Sequence, residues 1–77
     1  MNDKLIGDRI RIARHTRNMT IKTVANALNC HPSRISRLEN GKIPILAVDI
    51  YNLATLYKVN EEFFYQKESV FGKNERF

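Results

Sequence analysis

Apolar residues recur along this chain at helical spacing. Ile6, Ile10 and Ala13 fall at i, i+4 and i+7 and predict a first helix from Leu5 to about Arg17. Arg9, Arg11, Arg14 and Arg17 lie largely off that stripe, and Ile12, on neither face, is expected to be exposed. Thr20 supplies a side-chain oxygen to cap a second helix through about Leu28, with Val24, Ala25 and Leu28 inward. Asn29 and Cys30 break it, since Asn tolerates the left-handed conformation that a sharp stop needs. Pro32 suits the first position of a third helix, where a missing N–H costs nothing. Ile35 and Leu38 are its apolar face, Asn40–Gly41 its stop, and Ser33, Arg34, Ser36 and Arg37 its polar, exposed face. After a loop marked by Pro44, a fourth helix covers roughly Ala47 to Tyr57, with Ile50, Leu53, Ala54 and Tyr57 inward. Asn60 caps a short fifth helix, Glu61 and Glu62 complement its positive end, and Phe63 and Phe64 follow. Strand-like alternation is confined to Ile10–Ala13, inside a better helical pattern. The expected fold is all-α, five short helices.

Length limits what such a fold can do. With 77 residues there is one thin-cored domain, burying only about 60% of the surface of its unfolded chain, and no room for a two-layered catalytic cleft. The expected division is a domain over residues 1–66 and a charged, irregular tail over residues 67–77, KESVFGKNERF. Apolar residues at 43% and charged residues at 27% are a globular composition.

Charge sharpens the picture through its distribution. The net charge of +5 divides into +6 over residues 1–42 and −1 over residues 43–77. A basic half joined to a neutral half points to a polyanion on one side and something else on the other; the bland alternative is a solubilising surface. One cysteine forms no internal disulfide, and neither a signal-peptide core nor a membrane-length apolar run is present, so the expected compartment is the cytoplasm.

The stretch from Thr20 to Gly41, TIKTVANALNCHPSRISRLENG, joins two short helices by a tight turn, and the second presents a small, basic outer face. A DNA major groove about 12 Å wide admits one helix, provided a neighbouring helix braces it across the phosphate backbone. With IGDRIR in the first helix, Thr20 opening the second, Ala25 at a close helix contact and ISRLENG over Ile35 to Gly41, the chain resembles the Cro/repressor-type (XRE-like) helix-turn-helix regulators over about residues 5–65. The resemblance implies a lambda-repressor-like DNA-binding domain acting as a transcriptional regulator. It implies a base contact by Arg37, contacts by Ser33 and Arg34 to bases or to flanking phosphates, and phosphate contacts by Thr20, Asn40 and Lys42. It also implies an ion pair between Arg14 and Glu39 that locks the third helix to the first.

Two departures stand out. The family usually has Gln after the capping Thr, where this chain has Ile21, so that phosphate contact is lost or passes to Lys22. His31–Pro32 opens the reading helix where polar residues are more usual; His31 is expected as a phosphate-side or capping residue.

Other chemistries find little support. One Cys and two His (His15, His31) fall short of a four-ligand structural zinc site, so Cys30 reads as a small apolar plug under the turn. No carboxylate pair, Gly-rich phosphate loop or Ser/His/Asp arrangement appears; no enzyme and no cofactor is expected. The aromatics Tyr51, Tyr57, Phe63, Phe64, Tyr65, Phe71 and Phe77 all lie away from the basic half, which argues against single-strand recognition. Tyr57 and Phe63 read as core. Phe64, Tyr65 and Phe71 are the candidates for a dimer interface, since a reader of DNA half-sites usually dimerises. The expected partners are double-stranded DNA and a second copy, without a membrane. Two alternatives remain: a protein-interaction module on the same fold, such as an antitoxin-like or anti-repressor partner, and a nonspecific nucleoid binder.

Overall fold

A computed structural model of the chain describes residues 3–65. Five helices follow in order: α1 (Asp3–Thr16), α2 (Ile21–Ala27), α3 (Pro32–Glu39), α4 (Ala47–Tyr57) and α5 (Glu62–Tyr65). No strand occurs among the described residues. The first helix begins two residues before the expected Leu5, with Asp3 in its first turn against the positive end of the dipole.

Packing turns on α1, which contacts α3, α4 and α5, while α2 packs on α3. Ile6, Ile10 and Ala13 of α1 meet Val24 and Ala25 of α2, Ile35 and Leu38 of α3, and Ile50, Leu53, Ala54 and Tyr57 of α4 in one core. Leu28 and Cys30 pack partly buried at its edge, and Ile12 is exposed. Tyr57 and Phe64 are the largest fully buried side chains, each worth roughly 1.5–3 kcal/mol of hydrophobic stabilisation.

Phe64 corrects an expectation. Proposed from sequence for a dimer surface, it is 0% exposed and closes the core beneath α1, whereas its neighbour Phe63 is only partly buried. The two rings stack edge to face with centroids 5.8 Å apart. In a helix of four residues, periodicity does not decide which of two adjacent phenylalanines turns inward. Tyr65 is exposed, and Phe71 and the tail lie outside the described residues.

The first four helices stop by one device. One or two residues past each end the chain turns left-handed, at Asn18 (φ 56°), Asn29 (φ 57°), Gly41 (φ 68°) and Lys58 (φ 59°). The next N–H in each case reaches five residues back: Met19 to the Arg14 carbonyl, Cys30 to Ala25, Lys42 to Arg37 and Val59 to Ala54, at 2.9–3.1 Å. This double-bonded stop satisfies carbonyls that a frayed end would leave to water. Arg17 adds to the last one, donating from Nε to the Tyr57 carbonyl at 2.6 Å and so fastening the end of α1 to the end of α4.

Gly7 sets how closely α1 and α3 approach. A Cβ there would lie 2.5 Å from the Glu39 carbonyl oxygen and 2.6 Å from that of Leu38. Both are backbone atoms, which cannot swing aside. Gly7→Ala would gain about 1 kcal/mol of helix propensity but overpack the contact, at a cost of typically 1–3 kcal/mol or more. The expected outcome is a net loss of stability, read as a lower midpoint in urea unfolding. An unchanged or higher midpoint would show that the two backbones are not held in contact.

Candidate nucleic-acid interface

Each helix of the helix-turn-helix pair opens on a local side-chain cap. Thr20 Oγ1 accepts the Thr23 N–H at 3.0 Å at the start of α2. At the start of α3, His31 accepts the Ser33 N–H at Nδ1, 3.1 Å away, and Ser33 Oγ lies 2.9 Å from the same nitrogen. A ring accepting at Nδ1 carries its proton on Nε2, which leaves a donor pointing away from the cap. Pro32 follows at the first position of α3.

One buried pair fixes α3 to the scaffold. Arg14 of α1 and Glu39 of α3 meet fork to fork, Nε to Oε2 at 2.7 Å and Nη2 to Oε1 at 3.0 Å. The remaining nitrogen, Nη1, donates to the Met19 carbonyl at 3.0 Å, so the same arginine also holds the α1–α2 turn. Bonding to Glu39 raises the guanidinium above its ordinary range despite its burial. The Tyr57 phenol is pushed up as well, by burial first and then by the Glu39 charge, with Arg14 opposing. It therefore stays neutral beside the pair.

The other named residues divide into those already bonded and those left open. Ser33 and Arg34, expected to touch bases or flanking phosphates, are half-buried. Arg34 Nη2 sits 3.0 Å from Oδ1 and 3.1 Å from Oδ2 of Asp49, on α4. Asn40 donates from Nδ2 to the Ser36 carbonyl at 2.8 Å, closing the end of α3. Lys22, Arg37 and Lys42 are exposed, and their side chains have no polar partner among the described residues. Arg37 differs from the other arginines of the first half: Arg9 is buried, Arg11 pairs with Asp8, Arg14 with Glu39, Arg17 with carbonyls and Arg34 with Asp49.

Acidic residues complete this arrangement. Between Asp8 and Glu61 the chain has only two, Glu39 and Asp49, and both are buried and paired with arginine. The helix-turn-helix unit therefore presents Lys22, Arg37, Lys42 and neutral polar groups with no exposed carboxylate among them. A phosphate backbone meeting this face is attracted throughout.

Three contributors escaped the sequence reading. Asp49 and Arg17 make long-range contacts that leave no periodic trace. Gly7 did leave one, because a glycine inside a helical pattern costs about 1 kcal/mol and persists where a close approach demands it.

The family described as "Helix-turn-helix domain" matches residues 5–62, from the first turn of α1 to the first residue of α5. No curated protein and no solved structure matches the chain. Among the described residues, no group of three or more His, Cys, Asp and Glu is placed to hold a metal ion, and no helix is long and apolar enough to cross a membrane.

The Arg14–Glu39 pair generates a double-mutant test. Arg14→Leu leaves a buried carboxylate without its partner and should destabilise by about 3–5 kcal/mol. Adding Glu39→Leu removes the orphaned charge and should restore most of that loss, as read by urea denaturation. A double variant as unstable as the single would mean that the charge pair is not what holds α3.

Proposed function

The chain belongs to the helix-turn-helix domain family, and on that premise we propose that it is a sequence-specific reader of double-stranded DNA that regulates transcription. In this reading it is a repressor of the Cro/repressor type, acting as a dimer on a two-fold related operator. One observation carries the proposal: Arg37 projects, exposed and unbonded among the described residues, from a helix fixed to the scaffold by a buried ion pair. A free guanidinium on a rigid helix is the group best suited to a bidentate contact with guanine O6 and N7. Lys22 and Lys42 flank it as phosphate contacts. Thr20, His31 and Asn40 join them through backbone N–H groups and side-chain donors, and these contacts fix register rather than sequence. Ser33 lies one turn earlier on the same helix, where a base flanking the Arg37 contact would fall, and Arg34 beside it is held by Asp49.

The dimer follows from the two-fold symmetry of duplex DNA, with half-sites about 34 Å apart. With Phe64 in the core, the second copy is best placed on α4. Its exposed residues Ala47, Val48, Tyr51, Asn52 and Thr55 carry no charge, and Val48 and Tyr51 are 57% and 60% exposed. Two copies of a chain with net charge +5 repel one another, and an uncharged apolar face is where that repulsion is weakest and burial gains most.

Selection from a random duplex pool tests the reading, with wild type and Arg37→Ala side by side at near-physiological salt. Wild type should enrich a two-fold repeat. Arg37→Ala should relax one position in each half-site and weaken binding by about 1–3 kcal/mol per lost bidentate contact. Equal enrichment of no sequence by both proteins would overturn sequence reading and favour a protein-interaction or nonspecific role. For the dimer, Val48→Asp should shift sedimentation toward monomer and weaken binding to the full repeat, leaving single half-site binding unchanged. Sedimentation identical to wild type would remove α4 from the interface.

A further inference from the structure

Arg34 and Arg37 stand three residues apart on α3, on neighbouring parts of one surface. Their situations differ sharply. Arg37 is exposed and unbonded among the described residues, whereas Nη2 of Arg34 lies between both carboxylate oxygens of Asp49, at 3.0 and 3.1 Å. The Asp49 side chain is only 9% exposed, and that of Arg34 is 38% exposed. Asp49 is fixed independently, because its Oδ2 accepts the Leu46 N–H at 3.0 Å and caps the start of α4. The pair is thus an arginine tethered to a carboxylate that is itself anchored in the fold.

Stability alone does not account for it. Sequestering a carboxylate from water is costly, and a half-exposed ion pair recovers little. The capping role needs only an oxygen, which an uncharged Asn would provide. On a face that meets phosphates, a carboxylate is also unfavourable unless something neutralises it. What the charge adds is a hold on Arg34. An untethered arginine on that surface would bind any phosphate within reach, strengthening binding to every sequence alike.

We infer that Asp49 is a specificity-determining positioning residue: it holds Arg34 off the DNA backbone, so that phosphate affinity stays low and discrimination falls to Arg37. This rests on the DNA-reading function proposed above and deepens it. Arg34 in this role belongs to the reading surface without being a phosphate contact. Releasing it should add one contact per protomer that carries no sequence information.

The test measures binding to a mixed-sequence duplex and to the selected site between 50 and 200 mM salt, for wild type, Asp49→Asn and Arg34→Ala/Asp49→Asn. Asn keeps an oxygen for the Leu46 N–H, and circular dichroism confirms folding at the assay temperature. In Asp49→Asn, the slope of log affinity against log salt on mixed sequence should steepen by about one per protomer. Its advantage over wild type should therefore grow about three- to fourfold as salt falls from 200 to 50 mM. Its ratio of specific to nonspecific affinity should fall. The double variant has the same net charge as wild type and leaves neither partner orphaned. Its slope should match wild type, because Arg34 makes no phosphate contact to lose, and this comparison decides the matter even if the single variant folds poorly. A slope for Asp49→Asn equal to wild type overturns the inference, as does a double variant shallower by about one. Wild type that binds no duplex at all refutes the DNA-reading function itself and this inference with it, whereas unaltered slopes in proteins that do bind refute only the role of Asp49.

Discussion

A guanidinium buried against a carboxylate ties the reading helix to everything else in this domain. Arg14 reaches from α1 to Glu39 at the last position of α3, and its third nitrogen holds the Met19 carbonyl where α1 gives way to α2. One side chain thereby sets α1, α3 and the turn leading into α2. Such a pair is a poor way to gain stability, since apolar residues of similar size do as well or better. Its value lies in direction. Ile35 and Leu38 would pack acceptably over a range of small rotations of α3, because hydrophobic contact is not directional. Two parallel N–H···O bonds would not, and they fix which residues of α3 face outward. Gly7 works with them by letting the α1 backbone sit against the carbonyls of Leu38 and Glu39.

Disposal of acidic charge follows from the same design. A basic surface arises either by adding cations or by removing anions from view. Over the middle of this chain the second route is prominent: both carboxylates between Asp8 and Glu61 are drawn inward by arginines. Those arginines are then unavailable outside, so the helix-turn-helix unit presents few free cationic side chains, those of Lys22, Arg37 and Lys42. Net charge overstates how much of the chain can grip a polyanion. The count that matters is of cations with no internal partner.

Much of the fold was legible because it rests on local rules. Helical spacing placed Ile6, Ile10, Ala13, Val24, Ala25, Ile35, Leu38, Ile50, Leu53, Ala54 and Tyr57 in the core, and the caps at Thr20 and Asn60 follow from side-chain chemistry a few residues away. Contacts across 15, 25 and 40 residues are of another kind. Nothing in the local pattern pairs Arg34 with Asp49 or Arg17 with Tyr57, and Arg14–Glu39 was named through family resemblance rather than spacing. The candidate site was accordingly legible in outline only. Exposed positions on α3 could be read from periodicity, but which of two adjacent arginines is free depends on what α4 brings beside them.

The helix stops carry this one step further. In each of the first four, the N–H of the residue after the left-handed position bonds back onto the helix, and such stops usually bring an apolar contact with them. Met19, Cys30 and Val59 make that contact, partly buried against the core. The fourth position, after α3, is Lys42, and it is exposed. The stop itself is intact, with Gly41 at φ 68° and the Lys42 N–H bonded to the Arg37 carbonyl at 2.9 Å. A Cβ at Gly41 would lie 3.1 Å from the Lys4 Cα, so the turn is braced from outside by the start of α1 instead of from within by an apolar plug. That bracing frees the next residue from packing. The same backbone device that seals the core three times therefore presents a cation once, beside Arg37, on the face proposed to meet phosphate.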